Sequence, residues 1–109
     1  MTMNDLTPIA RQILGECRED YVGLWSIVRR IRGAGVEDRT RIIETTLPLL
    51  TQLLSEGRIK VGQFSDQKFH EWKVQPQDAI AKIESEWKKL GRDPDIGEVA
   101  WFVAAETPT

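Results

Sequence analysis

From Thr7 to Glu56 the apolar residues recur at spacings of three and four, and from Arg58 the spacing switches to two. Ile9, Ile13 and Cys17 fall on one helical face with Ala10 and Leu14 beside them, which predicts a first helix over Thr7–Arg18. Thr7 suits its N-cap and Pro8 its first helical position. A second helix is predicted from an Asp20 cap to about Arg32. Leu24, Ile27, Val28 and Ile31 form one stripe, and Tyr21, Trp25 and Val28 an adjacent one. Gly33 and Gly35 then end it. The third helix, from Glu37–Asp38 to near Glu56, has the strongest apolar face: Ile43, Leu47, Leu50 and Leu54, flanked by Ile42, Leu49 and Leu53. Pro48 lies inside it, lacks an N–H and crowds the carbonyl of Glu44, so a kink or break is expected there.

After Gly57 the pattern is that of strands. Arg58–Phe64 alternates, with Ile59 and Val61 on one face and Lys60 and Gly62 on the other; Ser65–Lys68 reads as a polar turn and Lys68–Val74 as the return strand. Gln75–Pro76 opens a fourth helix ending at Leu90, striped by Ile80, Ile83, Trp87 and Leu90 and capped by Gly91. Glu98–Ala104 alternates again as a last strand. An isolated hairpin is marginal in water, so the hairpin and this strand are expected to form one antiparallel sheet of three strands, with the fourth helix packed across it.

Two striped helices followed by a hairpin resemble the winged-helix superfamily over residues 7–74. The resemblance implies an α+β, winged-helix-like fold of about four helices. More narrowly, the phrases EDYVGLWSIVRRIR, LLSEGRIKVGQF, PQDAIAKIESEW and GRDPDIGEVAWF are similar to small, uncharacterised bacterial single-domain proteins. That likeness implies a free-standing module, and some bacterial proteins of this size are immunity proteins that neutralise a partner toxin. The chain reads as one domain over residues 1–109, with 1–6 and 105–109 expected to be flexible.

Charge alters this picture. The formal net charge is −2 and the pI about 5.4, whereas a dedicated nucleic-acid binder is usually basic. The single cysteine, Cys17, excludes an internal disulfide and a cysteine zinc cluster. Together with the absence of a secretory pattern and of an apolar run of about 18 residues, it points to a cytoplasmic protein with no membrane partner.

No catalytic constellation emerges, and neither an enzyme nor a cofactor is expected. His70 is the only histidine and has no second ligand at metal spacing. Cys17 lies on an apolar stripe, the place of a core residue. Asp93–Glu98 imitates half of a calcium loop, but Gly97 stands at the third acidic position and the distal glutamate is missing. Two groups remain. Four tryptophans exceed what so small a core needs, and Trp25 and Trp72 are the candidates for an interface. Arg29, Arg30, Arg32, Arg39 and Arg41 bracket the turn between the second and third helices. Cations suit a helix C-terminus, which accounts for the first three, but Arg39 and Arg41 sit at the other end of the next helix. The expected partner surface is therefore Trp25, Arg29, Arg32, Arg39, Arg41 and Trp72, contacting another protein. DNA is the alternative partner, disfavoured because the presumed recognition helix exposes mainly Arg41, Glu44, Thr45, Pro48 and Gln52.

Overall fold

The computed structural model describes residues 7–105. Its elements run α1 (Thr7–Glu19), β1 (Val22–Gly23), α2 (Leu24–Gly33), α3 (Arg39–Ser55), β2 (Ile59–Ser65), β3 (Lys68–Glu71), α4 (Pro76–Leu90) and β4 (Trp101–Ala104). This is an α+β fold with an antiparallel sheet, and the order of elements is compatible with winged-helix topology.

The sheet has four strands in the order β1-β4-β2-β3, not three. The extra strand is a two-residue segment that the pattern assigns to the second helix. Val22 and Gly23 pair with Phe102 and Trp101, and α2 starts only at Leu24. The hairpin and the last strand do share the sheet, through Ile59–Gly62 of β2 against Trp101–Ala104. The strands are shorter than their alternation suggests: β3 stops at Glu71 and β4 starts at Trp101. Val99 explains the late start. Its φ is +72°, and the Ala100 N–H donates to the Glu98 carbonyl at 2.9 Å, so a tight γ-type turn precedes β4. That conformation is costly for a β-branched residue.

α3 is one continuous helix through Pro48, so of the expected kink or break the break does not occur. Its N-cap is Asp38, whose carboxylate accepts the Arg41 N–H at 3.2 Å. Ile42, Ile43, Leu47, Leu49, Leu50 and Leu53 are all buried along it. The packing of α4 also differs from expectation. Its main partner is α3, while α1 lies against β4 and β1 and α3 meets β2. Ile83 and Trp87 of α4 are fully buried, and Ile80 and Leu90 are only partly so. The strands' inward residues, Val22, Ile59, Val61, Phe102 and Ala104, join the helical stripes in one core. Ala105 donates its N–H to the Arg58 carbonyl; the expected flexibility of residues 1–6 and 106–109 concerns positions outside the described residues.

Candidate functional site: an aromatic sheet face

The sheet's alternation assigns its other face. Gly23 pairs with Trp101 and Trp101 pairs with Gly62, so one row across β1, β4 and β2 carries an indole between two glycines. The hairpin turn is Asp66–Gln67, both in the left-handed region with φ of 53° and 64°. A two-residue turn sets Phe64 opposite Phe69. Tyr21, just before β1, reaches the same place. Its ring centroid is 4.9 Å from that of Phe64 and 5.0 Å from that of Phe69, and Phe64 stands edge-on to Trp101 at 5.3 Å. Tyr21 and Phe64 each keep 39% of their surface exposed. Trp25, on the first turn of α2, lies against Gly23 and leaves no room for a side chain there: a Cβ would sit 2.6 Å from the indole. The Arg29 guanidinium covers the Trp25 ring at 5.4 Å from its centroid.

Beside this cluster is an open cavity of about 260 Å³ whose lining includes Tyr21, Trp25 and Trp101 together with Glu16, Glu19 and Asp20. Glu16 is ion-paired with Arg30, which also donates to Gln12.

The arginines of the expected contact surface have different partners within the chain. Arg32 forms a two-pronged pair with Asp93, at 2.6 and 3.1 Å, and donates to the Glu37 carbonyl at 2.7 Å, tying the end of α2 to the loop after α4. Arg39 donates to the Trp87 carbonyl at 3.2 Å. That carbonyl lies in the last turn of α4, where helices lack internal donors, which accounts for a cation at the start of α3. Arg41 is exposed on α3, and Arg29 is spent on Trp25. Trp72 is half-buried, packs against the core and lies under Lys82 of α4. It lines a separate open depression and is not part of the aromatic cluster. Of the expected set, only Trp25 and Arg29 therefore border the sheet face.

Tyr21, Phe64, Phe69 and Trp101 are the members that the periodicity did not single out. The hairpin pair was recoverable, because a two-residue turn at Asp66–Gln67 fixes the register that aligns the two phenylalanines. Tyr21 was not, since a two-residue strand carries no periodic signal.

Other candidate chemistry is absorbed by structure. Cys17 is fully buried and its thiol is pushed up to about 12 by desolvation, which suppresses the reactive thiolate. His70 is exposed at the sheet edge, its Nε2 3.2 Å from the Ser65 carbonyl. Among the described residues, no group of three His, Cys, Asp or Glu side chains could hold a metal ion, and no helix is long and apolar enough to cross a membrane. In the Asp93–Glu98 loop, Glu98 accepts two hydrogen bonds from Arg92, at 2.7 and 2.9 Å, and one from the Asp95 N–H. These bonds, Arg92 first, lower the Glu98 carboxyl from 4.5 to about 2. A carboxylate with a depressed folded value contributes stability that is complete above about pH 4.5 and lost as pH falls toward 2. An NMR acid titration should show the Arg92 guanidinium signals following protonation of Glu98 near pH 2. In Arg92→Gln the Glu98 transition should move up toward its ordinary range; an unchanged midpoint would refute Arg92 as its cause.

No family model matches the chain, and neither a curated protein nor a solved structure matches it.

Proposed function

We propose that this protein is a non-enzymatic, cytoplasmic module of winged-helix-like architecture that binds another protein through the outer face of its sheet. An immunity-type role, neutralising a toxin by occupying its surface, fits that mode of action. The observation that carries the reading is the contiguous Tyr21–Phe64–Phe69–Trp101 cluster, with two of its rings 39% exposed. Rigid aromatics bring large contact area at low entropic cost and dominate the centres of protein interfaces. Exposed apolar patches of this kind are uncommon on surfaces that contact only water.

Aromatic rings on a sheet also stack nucleic-acid bases. The acidic side chains beside this cluster, Glu19 and Asp20 above all, would repel the phosphates that must accompany the bases. The exposed part of α3 offers Arg41 next to Glu44, Pro48 and Gln52, a weak set for a groove. DNA binding is therefore the second reading.

Tagged wild-type protein and the variants Tyr21→Ser and Phe64→Ser, expressed in the native host, provide the test. The wild type should retain one protein in stoichiometric amount. Each variant should bind it at least about tenfold more weakly, the scale of an interface anchor, while melting near the wild-type temperature. Equal retention by all three proteins would remove the sheet face from the interaction. If no protein is retained and mixed duplex DNA binds at low salt with a steep salt dependence, the second reading replaces the first.

A further inference from the structure

We infer that the cavity beside β1 receives a basic side chain of the partner protein, its cationic head held by the rings of Tyr21, Trp25 and Trp101 and by the carboxylates of Glu19 and Asp20. The inference rests on the protein-binding reading and specifies the chemistry of the anchor. The cavity is about 260 Å³ and combines two kinds of wall. One is aromatic: ring faces carry negative quadrupole charge and attract ammonium and guanidinium groups. The other is acidic. Of its three carboxylates, only Glu16 has an ion-pair partner among the described residues, Arg30. Asp20 spends one oxygen on the Tyr21 N–H at 2.7 Å and keeps the other; Glu19 is exposed, with no ion pair among the described residues.

Both walls have the same electrostatic sign, so a neutral occupant gains only apolar contact and an anionic one is repelled. A cation gains from both, and the alkyl stem of lysine or arginine can lie along the rings while the head faces the carboxylates. Arg29, which does not line the cavity, sits with its guanidinium 5.4 Å from the Trp25 ring centroid, so this indole already attracts a cation. The acidic balance of the whole chain, −2, adds long-range attraction for a basic partner.

The test uses small probes on the intact protein, so it does not depend on finding the partner. Nα-acetyl-lysine N-methylamide and its arginine counterpart are titrated while the NMR signals of Tyr21, Trp25 and Trp101 are followed. The norleucine counterpart serves as the neutral control, at matched ionic strength. At least one basic probe should produce saturable shifts confined to this cavity, and norleucine should not. In Glu19→Gln/Asp20→Asn the basic probe should bind at least about fivefold more weakly, with the fold intact by its amide spectrum. No saturable shift, an equal response to norleucine, or unchanged affinity in the double variant would each overturn the inference. If Tyr21→Ser and Phe64→Ser lose the partner while the basic probes fail, the aromatic interface stands and the basic anchor falls. If the probes bind while those variants keep the partner, the cavity holds a cation but the sheet face is not the interface.

Discussion

Leu50→Ala is expected to destabilise the protein by about 2–5 kcal/mol, the cost of truncating a core aliphatic. Leu50 is fully buried near the middle of α3, the helix that packs on α2, α4 and β2, so the void opens where the other elements converge. Against a total stability of about 5–15 kcal/mol, that loss is enough to populate unfolded chains. Arg41→Ala is the matched control. Its side chain is exposed on the same helix and should contribute less than about 1 kcal/mol. Urea titrations of both variants measure the contrast. A comparable loss in Arg41→Ala would show that Arg41 has a structural role that its exposed position does not reveal.

The second large effect is expected at Gly62. A Cβ there would lie 2.2 Å from the His70 carbonyl oxygen, 2.8 Å from its carbon and 2.9 Å from the Glu71 Cα. All three are backbone atoms of β3, so no rotamer change relieves the clash. Gly62→Ala must push β3 away from β2, at a cost of about 1–3 kcal/mol or more. Because Phe64 and Phe69 sit two residues further along the same pair of strands, the shift should also disturb the aromatic cluster. Thermal melting together with the NMR signals of Phe69 would report both effects. A variant as stable as the wild type, with Phe69 unmoved, would mean that the close approach of the strands is not needed.

The buried stripes of the helices were legible because they follow a long-range period: Leu24, Ile27, Val28 and Ile31 on α2, and Ile42, Ile43, Leu47, Leu49, Leu50 and Leu53 of α3, are buried as the spacing predicts, with Leu54 only partly so. The continuity of α3 through Pro48 was not legible. A proline penalty is local, and burial of the helix on several neighbours outweighs it. β1 was missed because two residues give alternation nothing to act on. Its existence depends on Trp101 and Phe102, almost eighty residues away in sequence. The same dependence hid the candidate site, since Tyr21 meets the hairpin only once β1 has paired. Sequence proximity also did not reveal what two of the arginines hold: Arg32 pairs with Asp93 and Arg39 donates to the Trp87 carbonyl, both at or just past the end of α4.

The position of β4 has a bearing on how the chain comes to be folded at all. Of the four strands described it is the last in sequence, yet it lies second in the sheet, between β1 and β2. Until it arrives, Val22–Gly23 has no partner and the hairpin is a lone ribbon with both edges unpaired. The helices, rich in local contacts, can collapse early; the sheet must wait for a closure that spans most of the chain, which is the slow kind. A nascent chain ending before Trp101 would therefore display its aromatic residues and an open strand edge together, the combination that recruits chaperones or aggregates. For this protein, arrival of β4 separates a sticky intermediate from a finished surface.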